Sequence, residues 1–354
     1  MPGEQPWDRL ARIPLAPLPT PLVHATRFGG AIGADVWIKR DDIGSIGLAG
    51  NKVRKLEFVV ADALAQGADT LVTAGAAQSN HARATACAAA TLGLRCILVL
   101  GGRGPAEAEG NVLLDQLFGA DLRFVGSDDW GDINRSLTDT VAAARDAGDA
   151  PYLIPLGCSS PLGAVGFVAA YRELLDQLDL AGVTAAEVWH ASTSGGTQAG
   201  LTLGRWLAGR GPAVRGVSAG VVWRDPPGAL ARHATEAAAL LGEAVEIAPD
   251  DIALDMDWIG AGYGEPTSEG LEAIDLLART EGILCDPVYS GKGLAALVGA
   301  ARARRLQGPV VFWHTGGVSV IFDSRYAAPM SARSPVDSRP GPLRAAGEAP
   351  ASAE

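Results

Sequence analysis

Five short polar segments carry the residue types that covalent and acid–base chemistry need. In DDIGSIGLAGNKVRKLEF (41–58), small residues from Gly44 to Gly50 lead into Asn51 and Lys52. The pattern predicts a strand-to-helix turn with Asn51 as N-cap and Lys52 at the helix start. The positive end of the helix dipole disfavours an ammonium ion there, which lowers its pKa and frees an amine for Schiff-base chemistry. In ASTSGGTQAGL (191–201), Ser194, Gly195, Gly196 and Thr197 follow a strand and open a helix. Backbone N–H groups in such a turn can cradle a phosphate. The loop matches neither GxGxxG nor GxxxxGK(S/T), so neither a dinucleotide fingerprint nor a P-loop follows.

Three further segments lie at similar junctions. AGAAQSNHARATA (74–86) presents Gln78, Ser79, Asn80 and His81 in succession after a strand, where open α/β sheets bind ligands. CDPVYSGKGLAAL (285–297) places Tyr289 before a helix starting near Gly291, and FWHTGGVSVIF (312–322) ends a strand in His314, Thr315, Gly316 and Gly317. Taken singly, each segment also fits a plainer role. Lys52 could be an exposed lysine, the Ser194 loop a capped helix start, Ser79 an N-cap and Tyr289 a half-buried structural tyrosine. Gly216 to Gly220 spells GxSxG, but the two prolines of VVWRDPPG follow where a nucleophile elbow needs a helix, which argues against Ser218 as a nucleophile.

The elements that must position these residues alternate. Strands are predicted over 70–73, 96–100, 122–125, 152–155, 187–191, 214–218 and 309–313, and an earlier one over 35–39. Helices are predicted over 79–92, 111–118, 134–147 and 163–178. Strand–helix alternation implies an α/β fold with open twisted, mostly parallel sheets covered by helices. The units between 56 and 159 form one compact small domain. Residues 13–55 and 160–327 form the large domain, after an N-terminal arm (1–12). From Ala328 the chain is rich in Pro, Ala, Ser and Arg without periodicity, so 328–354 is predicted to be a disordered tail.

The 354 residues carry a formal charge of −11, and 48% are hydrophobic. The balance argues against a nucleic-acid partner, which needs a basic face. Cys87, Cys96, Cys158 and Cys285 have no CxxC spacing and apolar neighbours, so buried thiols are predicted rather than disulfides or a metal site. No apolar run approaches membrane length, and the first residues lack a signal-peptide core. A cytoplasmic protein is expected, with no membrane partner. The apolar helix over 163–178 exceeds a single stripe and predicts a homodimer.

As an ordered set, PLPTPL (17–22), IKRDD (38–42), GNKVRKLE (50–57), QSNHAR (78–83), SGGTQAGL (194–201), DPVYSGK (286–292) and HTGG (314–317) resemble one family. It is the D-cysteine desulfhydrase and 1-aminocyclopropane-1-carboxylate deaminase family, pyridoxal-phosphate enzymes of the tryptophan-synthase β fold. The resemblance spans residues 13–327. It implies that Lys52 holds pyridoxal 5'-phosphate and moves the substrate's α-proton. It further implies that Ser194, Gly195, Gly196 and Thr197 hold the phosphate with help from Lys55. Asn80 would bond the cofactor's phenolic oxygen and Thr315 its pyridine nitrogen. Gln78 and Ser79 would receive the substrate carboxylate, Ser79 would also handle protons, and Tyr289 would face the reacting carbon. The implied reaction is α,β-elimination on a small amino acid, with D-cysteine as first choice and L-cysteate or the cyclopropane amino acid as alternatives. Ala49, Ala76 and Ala77 depart from the family's usual glycines and could reshape the pocket, whereas His81, Val53 and Ser290 resemble the desulfhydrase branch.

Overall fold

The computed structural model describes residues 5–43, 46–48 and 50–331. Ala49 and the segment after 331 lie outside the described residues. Ten strands are present among those described: β1 (Leu22–His24), β2 (Val36–Arg40), β3 (Thr70–Gly75), β4 (Arg95–Leu100), β5 (Asp121–Phe124), β6 (Pro151–Leu153), β7 (Glu187–Ser192), β8 (Ala213–Ser218), β9 (Leu254–Asp255) and β10 (Val310–His314). They form a six-stranded sheet in the order β1-β2-β10-β7-β8-β9 and a four-stranded sheet in the order β5-β4-β3-β6. Every pairing among them is parallel except β1 with β2. The smaller sheet lies between β2 and β7 in the chain, so the larger sheet is assembled from sequence on both sides of it.

Among the same residues, eleven α-helices cover the sheets: α1 (Thr26–Ile32), α2 (Lys52–Ala65), α3 (Asn80–Leu92), α4 (Gly110–Leu117), α5 (Trp130–Asp146), α6 (Pro161–Ala181), α7 (Gly196–Ala208), α8 (Pro226–Leu240), α9 (Ser268–Glu281), α10 (Ser290–Arg302) and α11 (Ser324–Ser331). Helices on both faces bury the central strands completely. All six residues of β3 and all five of β10 are buried, so these strands read as continuous apolar runs.

The sequence-predicted elements recur within a few residues. Helix α5 starts four residues earlier than predicted, because the Asp129 carboxylate accepts the N–H groups of Gly131 and Asp132 and caps it there. Helix α11 carries the chain to Ser331, past the predicted tail boundary at 328. Helix α6 is apolar for an internal reason: its side chains pack into the cores it shares with α2, α7 and α8. Its backbone partners approach so closely that a Cβ on Gly200 would lie 2.2 Å from the Ala164 carbonyl. The apolar surface read as a subunit contact is thus consumed within one chain, and it no longer argues for a homodimer. The four cysteines are buried free thiols.

A buried ionic cluster joins β2, α2 and α6. Arg54 donates to both oxygens of Asp41 (2.9 Å each) and to both of Glu173 (3.0 and 2.9 Å), and Lys39 pairs with Glu173. Trp313 Nε1 on β10 donates to Asp41 Oδ2 (2.8 Å). Burial alone would raise the carboxyl pKa of Asp41 and of Glu173, but Arg54 overcomes it and holds both below their ordinary values. Depressed carboxylate pKa values stabilise the fold above the unfolded-state pKa, and that contribution is lost as pH falls through the folded-state values. Asp41→Asn should therefore cost about 3 kcal/mol at neutral pH. In urea titrations the gap to the native protein should shrink below about pH 4. A gap that stays constant down to about pH 2 would contradict this account.

Candidate active site

The carboxyl ends of β3, β7 and β10 open onto one cavity. It lies where ligands bind in parallel α/β sheets, and its walls come from both sheets. Lys52, Lys55, Ser79, Asn80, Tyr289 and Thr315 all line it, together with Ser194, Gly195 and Thr197.

The sequence holds four lysines: Lys39, Lys52, Lys55 and Lys292. Lys39 is spent on Glu173, Gln177 and the Thr20 carbonyl. Lys292 belongs to the first turn of α10, and its ammonium donates to the carbonyls of Ile259 (2.7 Å) and Gly262 (2.9 Å). Of the four, Lys52 and Lys55 reach the cavity. Lys52 Nζ donates to Asn51 Oδ1 (2.9 Å), and burial lowers its pKa to about 8. Desolvation, rather than the helix dipole, is the main cause. Asn51 does not cap α2 with its side chain. Its Nδ2 donates to Thr197 Oγ1 (3.0 Å) and its backbone N–H to the Thr315 carbonyl (3.0 Å). One residue thus ties together the lysine turn, the glycine loop and the end of β10. Gly50 permits this approach: its φ is +78°, and a Cβ there would lie 2.5 Å from the Thr315 carbonyl oxygen.

The start of α7 is built for an anion. Gly195 adopts φ +90°, turning the chain into the helix. Ser159, unread in the sequence, donates its hydroxyl to Ser194 Oγ (2.8 Å) and accepts the Gly196 N–H (3.1 Å). Lys55 Nζ stands beside the loop: a Cβ on Gly196 would meet it at 3.1 Å. Burial, then repulsion from Lys52, lowers the Lys55 pKa to about 7. Thr193 Oγ1 in the same wall is buried without a hydrogen-bond partner. A helix N-terminus, a suppressed ammonium and an unsatisfied hydroxyl fit a phosphate dianion, which would satisfy all three.

Ser79 caps α3 by accepting the Ala82 N–H (3.2 Å) and also lines the cavity, so its two expected roles coexist and its own proton remains available to a ligand. Asn111 Nδ2 donates to Asn80 Oδ1 (2.9 Å), which leaves the Asn80 amide N–H₂ as a donor. No sequence signal marked Asn111. Gln78 is not brought to Lys52: its Nε2 donates to Asp323 Oδ2 (2.8 Å) and to the Glu109 carbonyl, and its Oε1 accepts the Asn111 N–H (2.7 Å). Its side chain bridges loops instead. Ala76 borders the cavity, whereas Ala77 borders only the outer cleft.

His81 Nε2 bonds to Thr73 Oγ1 (2.8 Å), and that hydroxyl donates to the Ile154 carbonyl. The geometry fixes a proton on Nε2 and leaves Nδ1 without a partner. Burial holds the His81 pKa well below its ordinary value, so it is neutral. Tyr289 hydrogen-bonds through its hydroxyl to that of Tyr263, a residue the sequence did not mark. Burial pushes the pKa of Tyr289 well above its ordinary value. Asp286 accepts the N–H groups of Val288 (2.9 Å), Tyr289 (2.6 Å) and Ser290 (3.0 Å) and so orients the tyrosine. Ser218 donates to the Gly220 carbonyl (3.0 Å), is buried and precedes no immediate helix, which removes the nucleophile-elbow reading.

A family model described as pyridoxal-phosphate dependent enzyme matches residues 13–316. The chain belongs to this family. It is 38% identical to a crystallised ACC deaminase homologue, over 92% of this chain and 97% of that one, with a TM-score of 0.84. A crystallised T.th. threonine deaminase shares the fold at 22% identity and a TM-score of 0.61, over 84% of this chain and 92% of that one. The protein is therefore a pyridoxal-phosphate-dependent enzyme with the tryptophan-synthase β-like fold. Among the described residues no helix is long and apolar enough to cross a membrane.

Two outcomes follow for the pyridoxal-phosphate site. Covalent capture of the cofactor aldehyde by the cofactor-free protein, followed by absorbance, should accelerate with pH and level off above about 8, the pKa of Lys52. An ordinary lysine would level off only above about 10. Lys55→Met should weaken cofactor binding at least about tenfold, since it removes a charge-assisted partner. Fluorescence titration near pH 6.5, roughly where Lys55 is charged, measures this, and unchanged affinity would remove Lys55 from the phosphate site.

Proposed function

We propose that the enzyme catalyses α,β-elimination on a small β-substituted amino acid, with D-cysteine yielding pyruvate, hydrogen sulfide and ammonia. The reading rests on one observation: a lysine of lowered pKa, a serine hydroxyl and a protonated tyrosine pair all line one cavity at the carboxyl ends of the parallel strands. Pyridoxal phosphate supplies an electron sink beside the substrate's α-carbon when bound. Lys52 holds it and, with a pKa near 8, shuttles the α-proton close to neutral pH. Ser194 to Thr197 and Lys55 take the phosphate. The Asn80 amide donates to the phenolic oxygen. The Thr315 hydroxyl is the neutral partner of the pyridine nitrogen.

On the substrate side, Ser79 donates to the carboxylate at the start of α3, where the helix N-terminus favours an anion. Gln78 supports this role only through the loop that it braces. Tyr289 keeps its proton far into the alkaline range, so it serves as donor to the departing β-substituent. A second reading, deamination of the cyclopropane amino acid, is favoured by the 38% identity to an ACC deaminase homologue. Loss of a sulfur needs only a proton on the leaving atom, whereas ring opening also needs a proton delivered to carbon. L-Cysteate elimination, releasing sulfite, is the third candidate.

Competition between D-cysteine and the cyclopropane amino acid decides between the first two. Pyruvate should exceed 2-oxobutanoate, and a predominance of 2-oxobutanoate would replace the first reading with the second. Ser79→Ala should lose about 10²–10⁴-fold in turnover while keeping the cofactor absorbance. Full activity in that variant would return Ser79 to capping alone.

A further inference from the structure

Ala76, Trp130, Tyr263 and Tyr289 line both the cavity and an adjoining cleft. A substituent reaching from the cavity toward this cleft meets these residues, and their composition restricts what can sit there. Trp130 is the first residue of α5, which the Asp129 carboxylate caps, and it packs against the cluster of Ala74, Val99 and Ile133. Beyond it stand Ile133, Val288 and Tyr326. Among the described residues lining the inner cavity, the only lysine or arginine side chains are Lys52 and Lys55, both at the cofactor end. The outer cleft carries four carboxylates among its described residues, Glu107, Glu109, Asp128 and Asp323, against a single guanidinium, Arg325. Arg325 is paired with Glu265 and lies over the Tyr326 ring at 5.4 Å. An anionic substituent would thus meet repulsion in the cleft and, among the described residues, no unshared cation inside. An apolar one would meet aromatic and aliphatic walls.

We propose that the physiological β-substituent is an uncharged thioether with an apolar group, an S-substituted cysteine, and that Trp130 is the side chain that selects it. The proposal rests on the elimination reading above, not on D-cysteine as its substrate, and names the substrate class. The α-proton is removed, the Cβ–S bond breaks with its electron pair going to sulfur, and the sulfur takes a proton and departs as a thiol. Water converts the remaining three-carbon fragment to pyruvate and ammonia. No oxidant or second substrate is required. The apolar group of the departing thiol sits against the indole, where aromatic contact and burial favour it.

The test uses the holoenzyme with both enantiomers of cysteine, S-methylcysteine, S-benzylcysteine and cysteate, following pyruvate and free thiol or sulfite. S-benzylcysteine should exceed cysteate by at least about tenfold in kcat/KM, a discrimination of the size that apolar pocket contacts supply. Trp130→Ala should reduce kcat/KM for S-benzylcysteine at least about tenfold more than for cysteine, through KM, with Trp130→Phe restoring most of the difference. Unchanged cofactor absorbance reports that each variant is folded. Turnover of cysteine without S-benzylcysteine, preference for cysteate, or equal losses on cysteine and S-benzylcysteine in Trp130→Ala would overturn this inference while leaving the elimination reading intact. Absence of pyruvate from every substrate would overturn the elimination reading itself.

Discussion

The Arg54 guanidinium is the fixed point on which the site depends. Lys52 and Lys55 are three residues apart on α2 and share one face, while Arg54 projects from the other. Its hydrogen bonds go to Asp41, Glu173 and Thr20. The same helix is pressed by α6, where a Cβ on Gly166 would lie 2.2 Å from the Arg54 carbonyl oxygen. The start of α2 can neither turn nor slide without exposing a buried charge cluster. The two lysines are therefore delivered to the cavity by residues that never touch it. A buried guanidinium without its carboxylates would be far more costly than the cluster is stabilising, so every partner in it is constrained together.

The cavity itself suppresses charge. Burial lowers the pKa of Lys52 to about 8 and of Lys55 to about 7, and it keeps His81 neutral. A bound dianion would pair with Lys55 and relieve that suppression, whereas Lys52 needs its free base. The same dryness acts in opposite directions on acids and bases: it lowers the pKa of the lysine and raises that of Tyr289. One environment therefore favours a free amine and a protonated phenol in the same cavity.

The two sheets contribute different halves of the chemistry. Lys52 belongs to the helix leading into the small sheet, while Thr315, Tyr289 and the glycine loop belong to the large one. Ser79, Asn80 and Trp130 come from the small sheet. Direct bonds hold the halves in register: Gln78 to Asp323, Ser319 Oγ to Asn111 Oδ1 (2.5 Å) and Ser324 N–H to Glu109 (2.7 Å). Gln78 thus works at the seam rather than in the pocket. Trp130 and the acidic cleft stand on the side of the cavity away from Lys55 and the glycine loop.

Much of this was legible in the chain. Apolar runs such as CILVL and VVFWH can only be strands buried on both faces, and their alternation with Ala- and Leu-rich helices dictates a parallel α/β fold. Glycines and hydroxyl residues after those strands marked Lys52, Ser79, Asn80, Ser194 and Thr315, because strand ends and helix starts are where such residues have local work. Short or irregular elements such as β1 and β9 escaped, since two or three residues carry no period. The turn of the Gln78 side chain to Asp323 was not legible, because adjacency to Ser79 says nothing about which way a side chain turns in a loop. Ser159, Asn111 and Tyr263 left no local mark at all: each acquires its role from a partner 26 to 37 residues away in the chain. Trp130 was equally silent, because its place in the wall depends on how α5 meets the end of β3. The excess of apolar residues on α6 was visible, but only the packing of α2, α7 and α8 around it showed that the chain itself covers them. Sequence by itself determined the elements and the reactive residue types, because both follow from local period and turn chemistry. Tertiary structure alone decided the lysine pKa, the tyrosine pair and the cleft's charge, because burial and long-range contact have no local signature.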